Sequence, residues 1–275
     1  MSGAGERLPA ARKRLGQHFL TDRRVLDRIV GALALRGDET VLEIGPGRGA
    51  LTDRLVGQCR RLVAVELDRD LVPYLRDRYA DASHVLVVEA DVLEVSLGAL
   101  AQGPYVLVGN VPYYITTPIL FHALRTPRAE RAVFLVQREV AERVCAAPGS
   151  KVYGALTVNV HVLATAELIC HVPPGAFRPP PAVDSAVLRI TPRAEALIAA
   201  DEEDGFRRFV QAVFAQRRKQ LKSLLRPLWH TDSEATTARL EAMGIAPTER
   251  AEQLPPECFV ALYRAGASAR SAGHA

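Results

Sequence analysis

The chain has 275 residues, 48% of them hydrophobic and 24% charged, which is enough for one main domain with a real core and a small companion, and too short for two large ones. Its net charge of +4, with arginine supplying most of the positive side, suits a polyanionic partner, because guanidinium forks match phosphate oxygens. Cys59, Cys145, Cys170 and Cys258 are scattered without a CxxC or Cys/His cluster, no apolar run reaches the ~20 residues of a membrane helix, and the start lacks a signal-peptide core. Reduced thiols in a cytoplasmic protein, with no metal and no membrane attachment, are the expectation.

Residues 22–35 put Val25, Leu26, Ile29, Val30 and Leu33 on one helical face, with Thr21 placed to cap it. Short apolar runs follow at 40–44, 62–66, 85–88 and 105–109, separated by stretches of helical length such as 50–59 and 71–79. A fifth strand at 132–137 leads into a helix over 137–145. Strands alternating with helices imply a parallel sheet covered on both faces. Residues 167–172 and 185–190 read as a late strand pair, and the proline-rich stretch 173–181 between them must be a stiff loop.

From Pro192 the pattern turns helical. Phe206, Phe209, Val210, Val213 and Phe214 recur at helical spacing, Leu221, Leu224 and Leu225 extend the stripe, and further helices fit 233–243 and 256–265. The fold expected is α/β, with a main domain over 21–192, a small all-helical domain over 193–267 and a frayed, disordered tail over 268–275.

The first strand runs into Glu43-Ile44-Gly45-Pro46-Gly47-Arg48-Gly49-Ala50, where glycines permit a tight turn and a close approach of backbone to a nucleoside. The loop satisfies both a loose dinucleotide fingerprint and the GxGxG form of methyltransferases. Glu66, at the end of the second strand, stands where an acid accepts from ribose hydroxyls in either class. Asp91, after the third, is placed to accept from an adenine amine or simply to cap the strand end.

Asn110-Val111-Pro112-Tyr113, directly after the fourth strand, discriminates. An exocyclic amine on adenine is a poor nucleophile, since its lone pair is delocalised into the ring. A site that methylates it must hold both N–H groups on acceptors that favour a pyramidal nitrogen. The Asn110 side-chain oxygen and the Val111 carbonyl supply two acceptors, Pro112 fixes the turn, and Tyr113 offers a face for a flipped base. Phe177, in the proline-rich loop, is either an exposed aromatic forming the opposite wall of a base sandwich or a residue packed on the sheet.

Residues 206–226 carry Arg207, Arg208, Arg217, Arg218, Lys219, Lys222 and Arg226 without an acid, on what the spacing predicts to be a helix with an apolar reverse face. Such one-sided charge suits a phosphate backbone. Arg12, Lys13 and Arg14 add a second cluster.

These residues, together with Arg14-Leu15-Gly16-Gln17-His18-Phe19-Leu20, Glu66-Leu67-Asp68, Phe177-Arg178-Pro179-Pro180-Pro181, Val183-Asp184-Ser185-Ala186-Val187, Gln216-Arg217-Arg218-Lys219, Met243-Gly244-Ile245 and Arg250-Ala251-Glu252, resemble the KsgA-type small-subunit ribosomal RNA adenine N6,N6-dimethyltransferases from Arg12 to about Ala265. The resemblance implies a Rossmann-like class I methyltransferase sheet using S-adenosylmethionine, and a segment over 1–20 that closes on this cofactor through Gln17, His18 and Leu20. Gly45 and Gly47 would lie against it, Glu66 with Leu67 at its ribose, Asp91 with Val92 at its adenine, and Asn110 between cofactor and target base. It further implies dimethyladenosine at two adjacent positions of a hairpin near the 3′ end of 16S rRNA, recognised within the 30S subunit or its precursor, a role in subunit biogenesis, and a second domain that holds this RNA. From the basic run, Arg217, Arg218, Lys219 and Lys222 are the expected contacts, and a monomer is the expected state.

Two positions depart from the family pattern: His18 stands where many relatives have Asn, and Tyr114 where Asn is usual. A macrolide-resistance methyltransferase acting on large-subunit RNA shares the glycine loop and the Asn-Pro-Tyr region, but the residues from Met243 to Glu252 argue against it. A non-catalytic ribosome assembly or transcription factor on the same fold is disfavoured by the intact Gly45, Glu66, Asp91 and Asn110.

Overall fold

The computed structural model describes residues 12 and 15–272, with side chains described as far as residue 266. Lys13, Arg14 and most of the expected segment 1–20 lie outside the described residues. In chain order the elements are β1 (Phe19–Leu20), α1 (Arg23–Leu33), β2 (Thr40–Ile44), α2 (Thr52–Leu55), β3 (Arg61–Glu66), α3 (Leu71–Arg78), β4 (Val85–Glu89), α4 (Leu97–Ala101), β5 (Tyr105–Asn110), α5 (Thr116–Ala123), β6 (Arg131–Gln137), α6 (Arg138–Val144), α7 (Ala155–His161), β7 (Ala164–Val172), β8 (Phe177–Arg178), β9 (Ser185–Pro192), α8 (Glu203–Phe214), α9 (Leu221–Trp229), α10 (Ser233–Ala242) and α11 (Pro256–Ala272).

Seven strands form one sheet in the order β4-β3-β2-β5-β6-β9-β7, and β1 pairs separately with β8. β4, β3, β2, β5 and β6 are mutually parallel, whereas β9 runs antiparallel to β6. The five strands that alternate with helices are thus parallel as expected, and the late strand β9 makes the sheet mixed. β2 lies between β3 and β5, so the chain order reverses there, and ligands of such sheets sit outside the carboxyl ends at that point. A Cβ on Gly109, opposite Ile44, would stand 2.9 Å from the Ile44 carbonyl oxygen, which is why the ladder carries a glycine there.

One face of the sheet carries α1, whose Val25, Leu26, Ile29 and Leu33 pack with Val41, Val106, Val108, Val133 and Leu135. A smaller cluster joins Leu71, Val72 and Leu75 of α3 to Val87 and Phe19. Each such aliphatic side chain, when fully buried, contributes roughly 1.5–3 kcal/mol. The N-cap of α1 is Asp22 rather than Thr21. The Asp22 carboxylate accepts from the Arg24 and Val25 amides, while the Thr21 amide and hydroxyl both donate to the Ala176 carbonyl. The helix expected over 50–59 shrinks to α2, four residues long.

The chain divides into two compact units, one of residues 1–141 and 166–192, the other of 142–165 and 193–275. The sequence boundary at 193 thus omits residues 142–165 from the second unit. Their attachment is local: the Tyr153 hydroxyl donates to the Leu254 carbonyl at 2.7 Å, and its ring packs on Phe214. The same unit stacks Phe214 on Phe259 at 5.4 Å and seats Trp229, whose indole N–H donates to the Leu262 carbonyl at 3.1 Å.

The single basic helix expected over 206–226 is broken. α8 ends at Phe214, and α9 starts after Gln220, an extended residue, where the amides of Leu221 and Lys222 find the Glu249 and Pro247 carbonyls. Tail residues 268–272 continue α11 instead of fraying, in keeping with their alanine content, and 273–275 lie outside the described residues. Among the described residues no helix is long and apolar enough to cross a membrane.

Candidate active site

The loop after β2 turns on glycines in the left-handed region: Gly45, Gly47 and Gly49 take φ of 64°, 60° and 83°, where a side chain brings strain. A Cβ on Gly47 would in addition stand 3.0 Å from the Phe19 ring. Bare main chain therefore lines a cavity that it shares with Gln17, His18, Glu66, Asp91, Asn110 and Tyr113.

Glu66 lies at the end of β3, 5% exposed, with Oε2 accepting from the Gly47 amide at 3.0 Å and Oε1 from the Asp68 amide at 2.9 Å. Burial raises its pKa and the two amides pull it partly back. Each oxygen keeps a lone pair for a ligand hydroxyl. Asp91 performs the strand-end capping that the sequence allows, its Oδ1 accepting from the Leu93 amide at 2.9 Å, and it also lines the cavity with Leu67 and Val92.

Leu15, Gly16, Gln17 and His18 form a strap along the cavity. Gln17 Nε2 donates to Asp68 Oδ2 at 2.8 Å, Gln17 Oε1 accepts from the Arg12 amide at 2.8 Å, and the Arg12 guanidinium meets Asp68 at 3.0 Å and also Asp70. The sequence places Arg12 in a basic cluster for nucleic acid. Its guanidinium is instead committed to two carboxylates, and Asp68, whose side chain is 1% exposed, holds the strap.

Asn110 closes β5. Its Nδ2 donates to the His18 carbonyl at 2.8 Å, and among the described residues Oδ1 has no partner. The Val111 amide donates to the Leu135 carbonyl at 3.2 Å, and the Pro112 carbonyl accepts from the Ile115 amide and the Thr116 hydroxyl, whereas no described residue donates to the Val111 carbonyl. The Tyr113 hydroxyl shares a 2.5 Å hydrogen bond with Ser185 Oγ, and burial raises its pKa. Its ring lies near-parallel to the His18 imidazole, at 6.0 Å and 23°.

The structure thus gathers Gln17, His18, Gly45, Gly47, Glu66, Leu67, Asp91, Val92, Asn110, Val111, Pro112 and Tyr113 around one cavity, and with them Tyr114, 61% exposed. Two expected residues are missing from its walls. Leu20 and Phe177, 5% and 0% exposed, face each other across the β1–β8 ladder and belong to the main core. Burial of a phenyl ring is worth more than its exposure on a loop, and the ladder holds it there. Phe177 is therefore no exposed base-stacking wall.

In the second unit Arg217 is also reassigned: its guanidinium donates to Glu252, at 3.1–3.2 Å, and to the Lys151 and Tyr153 carbonyls. Arg218 and Lys219 are exposed and Lys222 is half-buried. Sequence reasoning gives no role to Asp68 or Ser185. Asp68 sits two residues after Glu66, a visible signal, but Ser185 meets Tyr113 across 72 residues, which no local pattern encodes.

A glycine turn after the central strand, an acid closing the next and an acceptor pair after β5, on a Rossmann-like sheet, define a class I methyltransferase. The fold is shared with a dimethyladenosine transferase from Plasmodium falciparum (TM-score 0.81, 24% identity, 92% of this chain and 98% of that one) and with the 23S rRNA methyltransferase ErmE (TM-score 0.73, 30% identity, 90% and 98%). The family described as ribosomal RNA adenine dimethylase matches residues 9–267, and the chain belongs to it. It is 45% identical over 254 residues to ribosomal RNA small subunit methyltransferase A of Acidobacterium capsulatum, spanning 91% of this chain and 89% of the relative. It is 47% identical over 264 residues to the protein of that name from Synechococcus sp. (strain JA-3-3Ab), spanning 93% and 92%. The chain is an rRNA adenine dimethyltransferase.

Proposed function

We propose that the protein transfers methyl groups from S-adenosylmethionine to N6 of two adjacent adenosines in the 3′-terminal hairpin of 16S rRNA, within the 30S subunit or its precursor, as a cytoplasmic monomer. The observation that carries this reading is the state of Asn110: with Nδ2 bound to the His18 carbonyl, Oδ1 is left as an acceptor on a residue that lines the cavity together with Val111.

The residues present fit the cofactor. The glycine floor admits a nucleoside closely, Glu66 has lone pairs for ribose hydroxyls, and Asp91 keeps Oδ2 for an adenine amine. When bound, S-adenosylmethionine would supply an electrophilic methyl group on sulfonium, the methyl–sulfur bond breaking to leave a neutral thioether. Asn110 Oδ1 and the Val111 carbonyl accept from the two N6 hydrogens and hold the nitrogen pyramidal, its lone pair free to form the new N–C bond. Tyr113, fixed by Ser185, supports the base. The attacking nitrogen becomes acidic as the bond forms, so its proton leaves to water without a strong base. The strap over residues 15–18 closes the cavity, and Arg218, Lys219 and Lys222 of the helical unit hold the RNA backbone.

The test is transfer of labelled methyl into purified 30S and 50S particles lacking the modification, followed by nucleoside mass spectrometry. Dimethyladenosine in 16S rRNA supports the proposal. Label confined to 50S particles overturns the substrate, and binding to 30S particles without any incorporation overturns the catalytic reading in favour of an assembly factor.

A further inference from the structure

A base held for chemistry at N6 needs its two faces covered, and the structure supplies only one wall from the residues that the sequence suggests. Tyr113 is present, but Phe177 is 0% exposed in the core. The ring that faces Tyr113 is His18, near-parallel at 23° with centroids 6.0 Å apart. We propose that the His18 imidazole is the second wall of the adenine slot, so that this chain sandwiches its target base between Tyr113 and His18. The proposal rests on the reading of this cavity as the place where adenine is methylated.

Three further observations support His18 as a built wall. Its Nδ1 lies 2.9 Å from the Pro179 carbonyl oxygen. A carbonyl only accepts, so Nδ1 carries the hydrogen, and that bond fixes the plane of the ring. The main chain is held independently, because the His18 carbonyl accepts from Asn110 Nδ2 at 2.8 Å, and the next residue enters the β1–β8 ladder. Both rings line the same cavity as Asn110 and Val111, which bear the two acceptors. An aromatic wall and the amine-holding acceptors are thus tied to one another through a single residue.

Two parallel rings that enclose a third stand ~7 Å apart, twice the usual contact distance of carbon layers. With centroids 6.0 Å apart the gap between the rings is no wider than that, so His18 and Tyr113 must part by at least about an ångström as the base enters. In this chain the imidazole adds stacking energy that an amide does not provide.

The experiment measures kcat/KM for particle methylation and, separately, S-adenosylmethionine affinity by calorimetry, for wild type, His18→Ala, His18→Phe and Tyr114→Ala. Whichever unmodified particle, 30S or 50S, wild type labels serves as substrate, so a wrong subunit assignment appears in wild type alone and leaves this test intact. Expected are a fall of about ten- to hundredfold in kcat/KM for His18→Ala, the scale of one base–aromatic stack, with a much smaller fall in cofactor affinity, and recovery of most activity in His18→Phe. An equal fall in His18→Ala and His18→Phe, a parallel loss of cofactor affinity, or a larger fall in Tyr114→Ala than in His18→Ala would overturn the proposal. A further readout is 2-aminopurine at the target position of the RNA: its quenching on binding is expected in wild type and His18→Phe and reduced in His18→Ala. Undiminished quenching in His18→Ala would equally overturn it.

Discussion

The side-chain amide of Asn110 donates to the main-chain carbonyl of His18 at 2.8 Å, so a strand-end residue and a strap residue 92 positions away set each other's orientation. The bond engages the amide nitrogen of Asn110 and leaves its oxygen for the substrate amine. Asn110→Ala is expected to lower single-turnover methyl transfer by roughly 10²–10³-fold, the scale of losing one aligned polar group at a reacting centre. Calorimetric affinity for S-adenosylmethionine should change by a few-fold at most. Asn110→Asp keeps an acceptor but sets a carboxylate against the His18 carbonyl, and should be nearly as inactive. An Asn110→Asp variant with wild-type turnover would remove the donor from this account.

Buried Glu43, 1% exposed, gives a pH signature to the fold beneath the glycine loop. Desolvation pushes its carboxyl up to about 8, with Glu66 and Asp53 adding to the rise and the Thr52 hydroxyl, donating at 2.7 Å, opposing it. In the unfolded chain the group ionises near pH 4.5. Its favourable contribution is therefore complete below pH 4.5 and is lost as pH rises to about 8, at up to ~1.4 kcal/mol per pH unit. Urea unfolding at several pH values should show this decline in wild type. Glu43→Gln, which still accepts from Thr52, should flatten it and be the more stable protein above pH 8. Parallel pH curves for the two proteins would show that Glu43 is ionised when folded.

The central strands are legible in the sequence because β2 to β6 are short apolar runs between helical spacings, and their ends carry the acids and amide that line the cavity. What is not legible depends on pairing between distant segments. The β1–β8 ladder buries Phe177 and Leu20, and no feature of the proline-rich loop announces a partner near residue 20. Arg12 looks like a phosphate ligand because Lys13 and Arg14 follow it, yet the nearest anions, Asp68 and Asp70, come from after β3. Arg217 falls within an acid-free run, but its acceptors lie at 151, 153 and 252. Charge runs report local composition, whereas pairing is set by the fold.

Asp68 is the anchor of the strap, taking Gln17 and Arg12 at once from a nearly inaccessible position. Asp68→Asn removes the charge and one acceptor, and should make strap opening easier by about 1–3 kcal/mol, the cost of leaving polar partners unmatched. Amide exchange over residues 15–20 should quicken, and S-adenosylmethionine should dissociate about ten- to hundredfold faster in stopped flow. Exchange unchanged in the strap would mean that the β1–β8 ladder alone holds it.

The basic residues of the second unit separate into two groups with opposite expected behaviour. Arg217 serves the fold: its guanidinium joins Glu252 to the Lys151 and Tyr153 carbonyls, three acceptors that a truncation strands. Arg217→Ala should therefore lower stability by about 1–3 kcal/mol, seen as a fall in Tm, with RNA affinity reduced only as far as the fold is weakened. Arg218 and Lys219 are exposed and on the proposed RNA face. The pair Arg218→Glu with Lys219→Glu should leave Tm within a degree or two and weaken RNA binding. The slope of log affinity against log salt should shrink by roughly one for each phosphate that is no longer neutralised. A double variant that binds RNA with wild-type affinity and slope would make these two residues ordinary surface and move the RNA-binding face elsewhere.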